Sequence, residues 1–323
     1  MENFENRIDL TAFSAKVEEL KSRIASVVVG QENAVDLILT TLLADGHVLI
    51  EGVPGVAKTL LAKLTAKLVN ADYSRIQFTP DLMPSDVLGT SVFNVKTSEF
   101  EFHKGPVFSE IVLIDEINRA PAKTQAALFE VMEERQITVD GFTRAMNSIY
   151  TIIATQNPVE QEGTYRLPEA QLDRFLMKIS IEYPTPEEEF DILKRHHENS
   201  QLTKLNDITP IISKEELLKF RELVSQVFVE NSLLKYISEI IIATRKSPAV
   251  YLGASPRASV ALLNAGKAYA LLQGRDFITP DDIKFIGVPV LQHRLMLSPE
   301  TEMEGHSAAT ICKRLIEKIE VPK

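Results

Sequence analysis

Apolar positions along the first half of this chain follow two periods. From Ala12 to Val28 they fall three and four apart, with Phe13, Val17, Leu20 and Ile24 on one face, which predicts an amphipathic helix. Ala34 to Leu43 predicts a second, more apolar one. Short apolar runs then alternate with helical stretches at 47–51, 73–78, 110–114, 149–154 and 176–181. Uninterrupted runs of this length predict strands buried on both faces. Their alternation with helices predicts an α/β fold with a doubly wound parallel sheet. Residues 91–95 and 99–103 instead read as two short alternating strands around a turn. Residues 136–139 and 142–146 read as a hairpin, since Asp140-Gly141 suits a primed turn. Phe93, Phe100, Phe102 and Phe142 in these segments are expected to be packing residues.

Two prolines at Tyr183-Pro184-Thr185-Pro186 interrupt regular structure before the acidic helix start Glu187-Glu188-Glu189. The expected division is an α/β domain over 1–183 and a smaller all-α lid over 184–323, because every later apolar pattern is helical. Ser213, Ser255, Thr279 and Ser298 read as N-caps, the last three followed by Pro256, Pro280 and Pro299 at the first helical position. His196 and His197 are consecutive on a helix and point to different faces, a poor arrangement for a metal.

Candidate chemistry gathers where the apolar runs end. Directly behind the run His47 to Ile50 stand Gly52, Val53, Pro54, Gly55, Val56, Ala57, Lys58 and Thr59, and Leu60 leads into a helix. A strand, a glycine-bearing turn and a helix start form a phosphate loop. Main-chain N–H groups converge there and the helix dipole adds to them. Lys58 would reach the outer phosphates of a nucleotide, and the Thr59 hydroxyl would ligate Mg²⁺. The strict pattern has glycine where this chain has Ala57. The run Ile111 to Ile114 ends in Asp115-Glu116: Asp115 could hold Mg²⁺ through its water shell, and Glu116 could polarise an attacking water. The run Ile149 to Ala154 leads to Asn157, a neutral amide able to orient that water or contact the γ-phosphate. Arg174 precedes the last strand. It is either a finger supplied to a neighbouring subunit's γ-phosphate or an ordinary salt-bridged arginine beside Asp173. Arg257, in the first turn of a later helix, could reach a phosphate at the domain interface. On the residues alone, Val28 to Gln31 reads as a helix–turn–helix joint with Gly30 as C-cap.

Composition narrows the field. Thirty-five basic against 45 acidic residues give a net charge of −10, which argues against wrapping nucleic acid by bulk electrostatics. A single cysteine, Cys312, leaves no internal disulfide framework and points to a reducing compartment. The opening MENFENRIDL has no secretory pattern, and no apolar run reaches membrane-spanning length, so the expectation is a cytoplasmic protein without membrane insertion.

Taken together the motifs resemble the AAA+ ATPases, and more narrowly the MoxR family. The resemblance is carried by EGVPGVAKT at 51–59, LIDEINRAPAKTQAALFEVMEERQITVDG at 113–141, ATQNPVEQEGTYRLPEAQLDRF at 154–175, GASPRA at 253–258 and HRLMLSPETEMEG at 293–305. It implies that Gly52 to Thr59 is the Walker A loop, in a family where alanine is common at the position of Ala57. It also implies that Asp115-Glu116 is the Walker B pair, Asn157 sensor one, Arg174 the arginine finger and Arg257 sensor two. Val28 and Gly30 would lie in the segment that contacts adenine, and the two hairpins would be the helix-two insert and the pre-sensor hairpin. The cofactors implied are ATP and Mg²⁺. The implied assembly is a homo-oligomeric ring, a hexamer, acting on a client protein with a von Willebrand factor A domain partner. A nucleic-acid motor and a nucleotide-dependent scaffold without appreciable turnover are the competing classes.

Overall fold

The computed structural model describes residues 8–158, 165, 167–198 and 208–322. The part of the 154–175 motif at 159–164 and 166 lies outside them, as do 1–7 of the opening segment. Helices α1 (Thr11–Ala25) and α2 (Glu32–Leu43) come first, then β1 (Val48–Gly52), α3 (Lys58–Leu68) and β2 (Tyr73–Gln77). A short α4 (Pro84–Leu88) leads into β3 (Gly89–Asn94) and β4 (Glu99–Lys104), then β5 (Ile111–Asp115) and α5 (Ala122–Glu134). The hairpin β6 (Gln136–Val139) and β7 (Phe142–Ala145) precedes β8 (Thr151–Gln156), the one-turn α6 (Glu169–Leu172) and β9 (Met177–Ile181). The remainder comprises α7 (Pro186–Glu198), α8 (Lys214–Gln226), α9 (Asn231–Lys246), β10 (Val250–Leu252), α10 (Pro256–Leu272), α11 (Pro280–Leu291), β11 (Met296–Leu297), α12 (Pro299–Met303) and α13 (Ala308–Lys318).

The central sheet is parallel, in the order β2-β5-β8-β1-β9. Its register decides which residues share an edge. Gly52 pairs with Ile181, Glu51 with Gln156, and Gln77 with Asp115, while Ile114 and Leu49 both pair with Ala154. All the strands therefore end along one edge, where open α/β sheets bind ligands. Alternate residues point to opposite faces. Val48 and Ile50 join one core with α1 to α3 and the later helices, whereas Leu49, Val112 and Ile114 join another that contains Phe129 and Phe175. The first core crosses the expected division at 183/184. Phe13 of α1 meets Phe220 of α8 edge-on, with ring centroids 4.8 Å apart.

Three expectations need correction. The region after β9 is helical but for an antiparallel ribbon, in which Val250 and Leu252 pair with Leu297 and Met296. Ser255 stands at an N-cap, yet its hydroxyl makes no cap bond, and the amide of Ala258 bonds Ser255's own carbonyl at 3.0 Å. Ser213, Thr279 and Ser298 do accept cap bonds. The hairpin phenylalanines are the third case: Phe93, Phe100 and Phe142 are exposed. Both hairpins pair only within themselves and stand off the main sheet, so no layer covers their outer faces. Phe102 alone is partly covered, with the Arg144 guanidinium 4.0 Å above its ring. The Ser91 hydroxyl donates to Asp140, joining one hairpin to the other. No described helix is long and apolar enough to cross a membrane.

Candidate nucleotide site

The loop between β1 and α3 is shaped by backbone conformations that L side chains rarely adopt. Gly55 has φ +91° and Ala57 has φ +61°. The position of Ala57 thus demands the left-handed region, which is the physical reason for glycine in the strict pattern. Alanine holds it at a strain of about 1–2 kcal/mol. At Gly52 a Cβ would sit 2.8 Å from the carbonyl of Ile181, so only a hydrogen fits where β1 and β9 converge. The first rung of α3 runs from the amide of Leu61 to the carbonyl of Ala57 at 2.9 Å. The amides of Lys58, Thr59 and Leu60 precede it, at the positive end of the helix dipole. The Lys58 ammonium donates to the Gly52 carbonyl across the loop. A cleft of about 460 Å³ opens alongside, walled by Gly52, Val53, Pro158 and the stretch from Ser180 at the end of β9 to Tyr183.

Asp115 and Glu116 stand at the same edge. Asp115 is buried; its carboxylate accepts from Arg75 Nε at 2.6 Å and from the Thr155 hydroxyl at 3.1 Å. That hydroxyl in turn accepts from the amide of Glu116 at 3.1 Å. Glu116 has φ +58°, a left-handed conformation of the kind that gathers at functional sites. Its carboxylate accepts from Arg119 Nη1 at 2.9 Å and from Gln77 Nε2 at 3.1 Å. Asn157, buried, follows directly on β8. Sequence reading missed Arg75, Gln77, Arg119 and Thr155. Gln77 carried a usable signal, as the last residue of a strand that ends level with Asp115.

Arg174 and Arg257 lie elsewhere. Arg174 is in the turn before β9, and the Leu176 amide bonds the His47 carbonyl at the edge where strands begin. The five-residue β1 separates that edge from the phosphate loop by roughly 13 Å at 3.3 Å per residue. Arg174 Nη2 is 2.7 Å from Oε2 of Glu133, in the last turn of α5. Arg257, at the start of α10, places Nη2 2.7 Å from the other oxygen of the same carboxylate. The hydrogen bond from Arg257, with the charge of Arg174, holds the Glu133 carboxyl below its ordinary range. Arg174 is thus a salt-bridged arginine, and its partner is Glu133 because the adjacent Asp173 pairs with Arg294 at 2.6 Å, a guanidinium enclosed between the start of β9 and the end of α11. Structure therefore brings Lys58, Thr59, Asp115, Glu116 and Asn157 to one edge, and Arg174 and Arg257 together at the other.

Gly30 is not a C-cap, since α1 closes at Ser26 in the right-handed region and Gly30 comes four residues later with φ +73°. A Cβ on Gly30 would overlap the Glu188 carboxyl group, 2.3 Å away. Val28 is buried and lines a cavity of about 480 Å³ between α1, α2 and the end of α10.

This geometry defines a P-loop nucleotide-binding domain with a helical lid. Residues 47–177 match the family described as ATPase family associated with various cellular activities (AAA), and 242–315 match the AAA lid domain. The uncharacterized protein YeaC of Bacillus subtilis is 48% identical over 299 residues, covering 93% of this chain and 92% of its own. Chaperone MoxR1 of Mycobacterium tuberculosis is 42% identical over 322 residues, covering 96% of this chain and 84% of its own. The crystal structure of a candidate ATPase from Cytophaga hutchinsonii superposes with a TM-score of 0.87 at 41% identity, covering 96% of each chain. The chain belongs to the MoxR family of AAA+ ATPases.

Proposed function

We propose that this protein hydrolyses ATP with Mg²⁺ in a hexameric ring and uses the cycle to remodel or activate a client protein, together with a partner carrying a von Willebrand factor A domain. The α/β half through Tyr183 binds the nucleotide, and the rest acts as its lid. One observation carries the reading. Five polar groups suited to phosphate chemistry share the edge where strands end, while both candidate arginines sit at the opposite edge, so a complete site needs a second subunit.

In this reading the loop amides and Lys58 bind the β- and γ-phosphates. Thr59 and Asp115 would hold Mg²⁺ through the hard oxygen donors it prefers, and the ion would draw charge off the phosphate oxygens. Glu116 takes a proton from the water as it attacks the γ-phosphorus. The bond from that phosphorus to the bridging oxygen then breaks, and ADP and phosphate leave. Gln77 and Arg119 hold the Glu116 carboxylate in place beforehand, and the Asn157 amide orients the water. Arg174 of an adjoining subunit meets the charge that develops on the γ-phosphoryl oxygens.

Binding and turnover assays test this. Lys58→Ala is expected to abolish nucleotide binding. Glu116→Gln is expected to keep binding and to lose turnover by about 10²–10⁴-fold. ATP-loaded Glu116→Gln should then retain the client on affinity capture. Undiminished hydrolysis by that variant would overturn the assignment.

A further inference from the structure

Two elements distant in sequence, the turn before β9 and the first turn of α10, converge on one carboxylate. Each oxygen of Glu133 takes one guanidinium, both at 2.7 Å. Arg174 is fixed from three sides: by Glu133, by the Ala170 carbonyl at 2.9 Å, and by the ring of Phe129, whose centroid is 6.0 Å from its guanidinium carbon. Phe129 and Glu133 are four residues apart on α5 and so share one face. The Arg257 side chain is 66% exposed and is held less closely. Two guanidiniums side by side repel each other. A carboxylate between them cancels one charge and leaves a net positive pair, and each arginine keeps donors in its five-donor fork for an incoming anion. The Arg257–Glu133 pair, open to solvent on the arginine side, does little for folding.

We infer that Glu133 is a positioning residue that yokes Arg174 to Arg257 and presents both to one phosphate oxyanion, the outer phosphate of a nucleotide held by an adjoining subunit. The inference rests on the functional reading above, and it deepens that reading. Arg257 then serves the neighbour's site rather than its own, and neither arginine acts well alone.

The test is a set of turnover and nucleotide-affinity measurements on Arg174→Ala, Arg257→Ala and the double variant, each with Glu133 intact and with Glu133→Gln. Glu133→Gln alone should slow turnover on the order of tenfold, as misplacement of a positioned group does, with nucleotide affinity and melting temperature unchanged. With Glu133 intact, the two alanine losses should be strongly non-additive; with Glu133→Gln they should multiply. A carboxylate that merely supported the fold would lower the melting temperature and leave this coupling untouched. Should the glutamine variant fold poorly, Glu133→Asp keeps the charge and should retain part of the coupling. Turnover equal to or faster than wild type in a folded Glu133→Gln protein would overturn the inference, as would unchanged coupling. In either case a slow Arg174→Ala leaves the functional reading standing, whereas Arg174→Ala at wild-type speed takes both down.

Discussion

Where the strands of the central sheet end, functional groups stand on buried strands and left-handed main chain, steadied by ion pairs from Arg75 and Arg119; where the strands begin, they are held chiefly by contacts between side chains at helix ends. The first edge rests on β1, β5 and β8, whose residues are almost wholly buried, and on left-handed conformations at Ala57 and Glu116. Those conformations store strain, which the surrounding sheet must hold. The second edge consists of Glu133, Arg174 and Arg257 near the ends of helices, where the exposed Arg257–Glu133 contact is worth about 0–1 kcal/mol. One edge is preorganised by the sheet; at the other Arg174 is held by Glu133, Ala170 and Phe129, and the exposed Arg257 can exchange partners cheaply. Such a division suits a molecule that receives a nucleotide on one face and delivers arginines to another molecule's nucleotide.

The largest effect should come from disrupting the arginine edge. Arg174→Ala is expected to bind nucleotide normally and to lose about 10³–10⁵ in turnover, as other arginine fingers do. Equal loss of binding and turnover would mean that the two edges do not divide the work. A smaller effect concerns acid. His47 is buried beneath the arginine edge, where Nδ1 accepts from the Ile152 amide at 3.0 Å and Nε2 bonds the carbonyl of Met132, next to Glu133, at 3.2 Å. Burial, then Arg135, lowers its pKa from 6.5 to about 3. The unfolded chain therefore takes up a proton below pH 6.5 that the folded protein refuses. Stability contributed by neutral His47 is complete above that pH and falls by about 1.4 kcal/mol per unit down to pH 3. Urea unfolding at pH 6.5 and 5.5 should show a drop smaller by about 1 kcal/mol in His47→Gln than in wild type, because the unfolded histidine is already half protonated at pH 6.5. Equal drops would exclude His47 as the group responsible. The smallest effect probes the preorganised edge. Ala57→Gly relieves about 1–2 kcal/mol of left-handed strain and costs about 0.5–1 kcal/mol in chain entropy, so a modest rise in the urea midpoint is expected. A fall would contradict the strain read at this position.

The preorganised edge was largely legible in the sequence. Strands buried on both faces leave uninterrupted apolar runs, and glycines, acids and an amide at the ends of those runs mark their common edge. What escaped was the layer behind them. Arg75 and Gln77 reach Asp115 and Glu116 only through the β2–β5 register, which no local pattern encodes. Glu133 escaped for a related reason: it sits beside Glu134 on an exposed helix end, and its partner Arg257 is 124 residues away. The ribbon of β10 and β11 spans three and two residues, too few for a period to emerge. Exposure of Phe93, Phe100 and Phe142 was invisible because alternation identifies a hairpin and says nothing of what covers it.

Division of one site between two subunits is the central claim, and a mixing experiment tests it most directly. Arg174→Ala lacks the arginine but keeps the base; Glu116→Gln lacks the base but keeps the arginine. Each alone should be nearly inactive. In a co-assembled mixture some interfaces join an intact Glu116 from one subunit to an intact Arg174 from the next, and ATP turnover should partly return. Mixed assemblies, verified by co-purification of two differently tagged variants, that remained as inactive as either parent would contradict the account.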